Sequence, residues 1–363
     1  MLDGFLKVIV DLVDINMKLQ LEGHKLNYHL EELLKWKRGE LFPPLLIEFG
    51  PVSGCLHHCV HCYVQEYIKK IEYIKDYTYL KFMTDAGDYG VKSIILSGCG
   101  EPLMHKMTPR AIEIGKEHGL DIGMFTNGVL INDKNIDRLL NNLTFIRLSI
   151  NGFSKGTYMK VHRCPERDWN RIIENIKKLV TRREELNSNC TIGIYSLLLN
   201  ENMYEIYNWI KQVRDLGVDY IIIKPPGVGL ERNRFVELPN YDDIRDIFPL
   251  LESLSTPEFK VQIRKDMFES GEQGCIKNYD KCYGLPFMCA VDADGEVYTC
   301  NWFFKNKNYS YGNLNKNSFK EIWEGYKIES ECFDMSKCGL CRQNTINNFL
   351  YKLKNPPIHT NFI

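Results

Sequence analysis

The sequence has no apolar run long enough to cross a bilayer. It has no excess of either charge, with 46 basic residues against 47 acidic ones, and so shows neither a nucleic-acid footprint nor a polybasic membrane surface. Internal repeats and low-complexity tracts are absent as well. The opening MLDGFLKVIVDLVD lacks the unbroken apolar core of a signal peptide, because Asp3, Lys7, Asp11 and Asp14 interrupt it. A short amphipathic segment and a cytoplasmic protein are the expectation. Without an export signal, thirteen cysteines in 363 residues point away from a disulfide framework and toward metal or cluster ligation. Their odd number leaves at least one outside any pairing scheme.

What is present is an alternating pattern. LLIEF (45–49), SIILSG (93–98), GMFTNG (123–128), FIRLSING (145–152), TIGIYSLLLN (191–200) and DYIIIKPPG (219–227) are short apolar runs bounded by Gly, Asn or Pro, as buried parallel strands are. Between them, Trp169, Ile172, Ile173, Ile176, Leu179 and Val180 recur at helical spacing, and 103–118, 133–142 and 203–216 are similar. Six strands alternating with helices predict an α/β fold with a parallel sheet, either doubly wound and open or a partial barrel. After about residue 230 the alternation is lost. The expected organisation is a helical extension over 1–44, a core over 45–254 and a smaller cysteine-rich α+β module over 255–363. Residues 26–40 read as one amphipathic helix.

In such folds ligands sit at the C-terminal ends of the strands, and the special residues collect there. Strand one leads into Gly50-Pro-Val-Ser-Gly-Cys55-Leu-His57-His58-Cys59-Val-His61-Cys62-Tyr63. Strand two ends in Gly98-Cys99-Gly100-Glu101-Pro102, strand three in Thr126-Asn127-Gly128, strand four in Ser149-Ile150-Asn151 and strand six in Lys224. One rim therefore carries thiols, a carboxylate, amides, a hydroxyl and an amine. A zinc site wants four ligands, and the three histidines are too closely spaced to turn easily toward one ion. Three thiolates on a 4Fe–4S cluster would leave one iron open to a ligand.

Cys55-x3-Cys59-x2-Cys62 after a first strand resembles the motif of the radical S-adenosylmethionine (SAM) enzymes. The resemblance implies a partial (β/α)6 TIM-type barrel. It also implies a 4Fe–4S cluster on Cys55, Cys59 and Cys62 that chelates SAM and cleaves it to a 5′-deoxyadenosyl radical, the cofactor carrying the hard chemistry. Gly98-Cys99-Gly100-Glu101-Pro102 is similar to the family's Gly-Gly-Glu-Pro motif, with Cys99 inserted. There the backbone and Glu101 are expected to accept from the SAM ammonium. Asn127, Ser149 and Asn151 resemble its ribose- and carboxylate-contacting positions, Asn151 standing where many members carry an acid. Arg163 is expected to meet the SAM carboxylate, Leu198 or its neighbours to line the adenine, and Tyr63 to pack over the cluster. His57, His58 and His61 are expected to be loop and packing residues. A flavodoxin- or ferredoxin-type electron donor is the implied partner.

The C-terminal cysteines follow a second pattern. CYGLPFMCAVDADGEVYTC (282–300) reads as a β-hairpin turning at Gly295, followed by Tyr311-Gly312-Asn313-Leu314, a helix and Cys338-x2-Cys341. This resembles the twitch and SPASM extensions of radical SAM enzymes, which implies one auxiliary 4Fe–4S cluster on Cys282, Cys300, Cys338 and Cys341. Zinc would accept the same four thiolates. Cys289 reads as a packed thiol, and Cys275 and Cys332 are left over.

The expected function is a radical SAM oxidoreductase or epimerase acting on a small polar, sugar-like substrate, with the auxiliary cluster aiding electron transfer. Lys224 and Cys99 are the candidate catalytic handles, Cys99 as a hydrogen donor. The alternative is a peptide-modifying enzyme. The 44 residues before strand one are too few for the recognition domain that such members often carry. A zinc-stabilised binding protein is the reading from another class.

Overall fold

The computed structural model describes residues 21, 24–62, 64, 70–227, 238–273, 277–325, 335, 338, 341 and 343–361. Seven strands run parallel in chain order: β1 (Leu46–Phe49), β2 (Ser93–Leu96), β3 (Asp121–Thr126), β4 (Phe145–Ser149), β5 (Thr191–Leu197), β6 (Tyr220–Lys224) and β7 (Lys260–Ile263). Helices cover one face of the sheet, and the curved sheet with its crossovers forms a partial TIM-type barrel. Each helix presents an apolar stripe inward. In Glu166–Glu185 the buried positions are Asp168, Ile172, Asn175, Ile176 and Leu179, and in Ile206–Asp215 they are Ile206, Trp209, Ile210 and Val213.

Two expectations change here. The alternation does not stop near residue 230: β7 adds a seventh parallel strand inside the stretch assigned to the C-terminal module. Its four residues, KVQI, offer two aliphatic side chains and so leave little periodic signal. The segment 26–40 is not one helix but a 3-10 turn (Leu26–Tyr28) followed by a helix (Leu30–Arg38), broken at His29.

The C-terminal hairpin continues the same sheet. β8 (Met288–Val291) pairs in parallel with β1, Leu46 opposite Met288, and β9 (Glu296–Tyr298) and β10 (Ser310–Asn313) follow antiparallel. Gly295, at φ +81°, makes the turn between β8 and β9. This pairing covers the edge that β1 would otherwise expose. Lys305 adds a polar tie, 2.8 Å from Asp292 and 3.1 Å from both Asp294 and Glu72, joining the hairpin turn to the chain just beyond the cysteine loop.

The barrel lumen is filled low down by aromatic rings. Gly123 and Gly193 lack the Cβ that would strike Phe145 and Tyr220, at 2.1 and 2.2 Å. The Arg147 guanidinium lies 4.9 to 6.0 Å from the ring centroids of Phe125, Phe145, Tyr195 and Tyr220, and its Nε donates to Tyr220 Oη at 3.1 Å. Above this floor, toward the strand C-termini, the lumen is open. No helix among the described residues is long and apolar enough to cross a membrane.

Candidate active site and cluster centres

A cavity of about 340 Å³ opens at the C-terminal ends of the strands. Its wall includes Cys55, Cys59 and Cys62 from the loop after β1, Gly98, Gly100 and Glu101 after β2, Asn127 after β3, Ser149 and Asn151 at β4, and Lys224 at β6. Ten of the sequence-derived positions therefore meet on one surface. Tyr63 lies outside the described residues.

The approach of the two loops explains the glycine motif. A Cβ on Gly100 would lie 2.1 Å from the Gly54 carbonyl oxygen, so only glycine lets the β2 loop press against the cysteine loop. The Glu101 N–H donates to that same carbonyl at 2.8 Å. The Glu101 carboxylate is buried and accepts from Thr126 Oγ1 at 2.7 Å, Asn127 N at 2.8 Å and Leu103 N at 3.2 Å. Burial pushes its carboxyl above the usual range, and these three donors pull it back. Glu101 thus organises the strand-three end as well as facing the cavity. Glu101→Gln would set an amide N–H₂ against one of these donors. The expected cost is about 1–3 kcal/mol, read by chemical denaturation, with weaker SAM binding to the cluster-loaded enzyme. Unchanged stability and binding would contradict this role.

The three loop thiols sit close enough to interact electrostatically. Cys55 is pushed up to about 11, chiefly by burial, then by Glu101 and Cys62, and Cys59 is raised well above the ordinary thiol value by burial and by Cys62 and Cys55. Asn127 Nδ2 donates to Cys55 Sγ at 3.6 Å. A group of half-buried thiols that repel one another as thiolates is a donor set suited to a multiply charged metal centre. The histidines divide. His58 is exposed, whereas His57 and His61 line the cavity. His57 Nε2 meets Asp168 Oδ2 at 3.2 Å. The Asn151 amide is oriented by Leu197 N, which donates to its Oδ1 at 2.8 Å, so its Nδ2 donates to His61 Nε2 at 3.0 Å. Burial and then the Lys224 ammonium push His61 down to about 4, so the ring is neutral with its proton on Nδ1. That Nδ1 is buried without a protein partner among the described residues. A donor left open in the cavity wall fits a polar cofactor beside the cluster.

Three expected positions fall elsewhere. Arg163 is exposed, in a left-handed conformation (φ +47°) just past the helix Lys155–His162, and does not line the cavity. The inward face of that helix carries Tyr158, Val161 and His162, so the residue that reaches the site is His162. Leu198 itself is fully buried in the main core, and of the strand-five neighbours that the expectation also covered, Leu197 and Tyr195 face the cavity, as period-two alternation along β5 requires. Cys99 packs against Val64, Ala290, Tyr298 and Phe304 and is not part of the cavity wall. It is therefore a packed thiol between two glycines that do face the site. His162 was missed in the sequence, although the spacing 158–161–162 carried the signal.

Lys224 is half-buried over the Tyr195 ring, 5.0 Å from its centroid. Among the described residues that line the cavity it is the sole lysine or arginine. Glu48, Phe125, Met267, Asn301 and Trp302 complete the wall away from the thiols.

The second thiol group converges too. The Cys282 thiol is buried and pushed strongly up, first by burial and then by Cys341, Cys300 and Cys338. Asn347 Nδ2 donates to its Sγ at 3.8 Å, and Lys277 Nζ holds the carbonyls of Met335 and Cys338 at 2.7 and 3.3 Å. Cys289, fully buried, packs in the main core. Cys275 and Cys332 lie outside the described residues. Cys300 is followed directly by Asn301 and Trp302 of the cavity wall, which ties the second thiol group to that wall through one short turn. The described cysteines form no disulfide.

Comparison with known proteins agrees with this arrangement. The radical SAM superfamily profile matches residues 50–213, and that of the SPASM iron–sulfur cluster-binding domain matches 282–343. A probable GTP 3′,8-cyclase of Saccharolobus islandicus (strain M.14.25 / Kamchatka #1) is 30% identical over 231 residues, 59% of this chain and 69% of that protein. The tungsten-containing aldehyde ferredoxin oxidoreductase cofactor-modifying protein of Pyrococcus furiosus is 26% identical over 293 residues, 75% of this chain and 78% of its own length. Among solved structures, Streptococcus suis SuiB bound to S-adenosylmethionine superposes with a TM-score of 0.61 at 15% identity, over 90% of this chain and 77% of SuiB. One thiol group at the rim of a partial barrel and a second in the C-terminal module, each covered by its family profile, make this chain a radical SAM enzyme with a SPASM domain, using a 4Fe–4S cluster, SAM and auxiliary iron–sulfur centres.

Proposed function

We propose that the chain oxidises a small polar, sugar-like substrate in the cavity at the strand ends. The observation that carries this is the character of the wall opposite the loop thiols. Glu48 and Asn301 supply polar contacts, and Phe125 and Trp302 supply flat apolar ones, a mixture suited to a ring bearing hydroxyls. The relative named for a reaction of GTP, itself a phosphorylated sugar derivative, supports a polar small molecule. Oxidation is preferred over epimerisation because Cys99, the candidate hydrogen donor, faces away from the cavity. The thiols that do line it, among the described residues, are the three assigned to the cluster.

In this reading Cys55, Cys59 and Cys62 hold the SAM-binding cluster, and Cys282, Cys300, Cys338 and Cys341 hold an auxiliary one. When bound, the cluster and SAM supply reductive cleavage of a sulfonium and, with it, hydrogen-atom abstraction. The chain's own residues bind and orient. Gly98, Gly100 and Glu101 present acceptors to an ammonium group, while Asn127, Ser149, Asn151 and His61 present amide, hydroxyl and N–H groups. Lys224 takes the carboxylate-binding role that the sequence had suggested for Arg163. Replacing Lys224 with Met is expected to weaken SAM binding about 10- to 100-fold, the worth of one charged hydrogen bond. Equilibrium dialysis with cluster-loaded enzyme measures this, and wild-type affinity in the variant would reject the role.

The substrate class is tested with deuterated cell extract, separated into small-metabolite and peptide fractions. Deuterium appearing in 5′-deoxyadenosine with the small-metabolite fraction supports the proposal. Transfer from the peptide fraction alone assigns the enzyme to peptide modification instead.

A further inference from the structure

We propose that His162 is a positioning residue for the loop cluster: its Nδ1–H donates a hydrogen bond to Cys59 Sγ and raises that cluster's reduction potential. The inference rests on the assignment of Cys59 as a cluster ligand made above. The proton's place follows from the far side of the ring. The backbone N–H of Asn151 donates to His162 Nε2 at 3.0 Å. A backbone amide has no other role to offer, so Nε2 carries a lone pair and the neutral ring holds its proton on Nδ1. Nδ1 lies 3.3 Å from Cys59 Sγ.

The ring is held firmly in this attitude. It stacks on Tyr158 at 4.2 Å and 26°, meets His57 edge-on at 5.4 Å, and is 1% exposed, so water does not compete for its ring nitrogens. A rival use of the same atoms is a mononuclear metal site, since ligand atoms of His57, Cys59 and His162 lie within 4.8 Å of one another. Coordination through His162 Nδ1 would move the ring proton to Nε2, where it would face the Asn151 N–H. The Nε2 contact therefore favours a donor and disfavours a metal ligand.

A hydrogen bond donated to a cluster sulfur stabilises the state with the extra electron, because that state carries more negative charge. No proton is transferred; the electron comes from the reductant and the imidazole keeps its hydrogen. His162 thereby eases reduction of the centre that must accept an electron before SAM is cleaved.

The test is an anaerobic redox titration of the cluster-loaded enzyme followed by electron paramagnetic resonance, with the auxiliary cluster as internal reference. In His162→Phe the loop cluster is expected to become harder to reduce while the auxiliary potential stays in place. His162→Asn, which keeps an N–H near the Nδ1 position, should recover part of the shift. Equal loop-cluster potentials in wild type and His162→Phe overturn the proposal. If the variants fail to fold, wild-type enzyme labelled with ¹⁵N-histidine decides by pulsed resonance. Because His57 also approaches Cys59 Sγ, a weak histidine nitrogen coupling to the reduced loop cluster that persists in His57→Phe supports the proposal, and its absence overturns it. A wild type that assembles no cluster on the loop would instead remove the ligand assignment beneath it.

Discussion

Replacing Cys59 with alanine is expected to halve the iron of the reconstituted enzyme, from about eight atoms to about four, and to bring 5′-deoxyadenosine formation to background. Cys59 is the middle thiol of the loop and interacts electrostatically with both others. Its loss leaves two thiols, Cys55 and Cys62, where a cluster with one open iron needs three. The substitution itself is sterically mild, so circular dichroism should show a folded barrel. Iron and acid-labile sulfide analysis, together with chromatography of the SAM products, measures the effect. Full iron content and continued SAM cleavage in Cys59→Ala would remove the loop from its assigned role.

Cys338→Ala should divide the activities the other way. Cys338 belongs to the group that raises the Cys282 thiol, and its carbonyl is held by Lys277. Removing its sulfur leaves three thiols at a centre assigned four. The expected result is again the loss of about four iron atoms, now with SAM cleavage in the absence of substrate retained and substrate-derived product lost. The contrast between the two variants is the informative measurement. Product formation at the wild-type rate in Cys338→Ala would make the second centre structural. Zinc in place of the missing iron in wild type would do the same.

The parts of the site that were legible in the sequence are those fixed by local spacing. The cysteine loop, the Gly-Glu-Pro turn and the Thr-Asn-Gly and Ser-Ile-Asn strand ends each span a few residues, so chain order alone brings them to one rim. What was misplaced depended on phase. Arg163 and His162 differ by one step, about 100° around a helix, and the helix ends between them, turning one inward and the other to solvent. Leu198 and Leu197 differ by one step along a strand end, which is a change of face. Cys99 sits between two cavity-facing glycines yet packs against the hairpin residues Ala290 and Tyr298, contacts that no local pattern announces. The seventh strand escaped because four residues with only two aliphatic positions carry almost no period. The pairing of β8 with β1 joins residues at opposite ends of the chain, beyond the reach of any window of sequence.

That pairing has a consequence for how the protein is made. The strand that launches the cysteine loop is synthesised early, but its neighbour β8 emerges only after the rest of the barrel. Until then the apolar segment Leu46–Phe49 presents an unpaired edge, and closing it requires a loop of nearly the whole barrel's length. Closure of this kind is slow. The enzyme is therefore expected to mature late, with its cysteine loop taking up a settled form only after Met288–Val291 has docked. A ribosome-bound chain stalled before Cys282 should accordingly be prone to self-association and poor at holding iron.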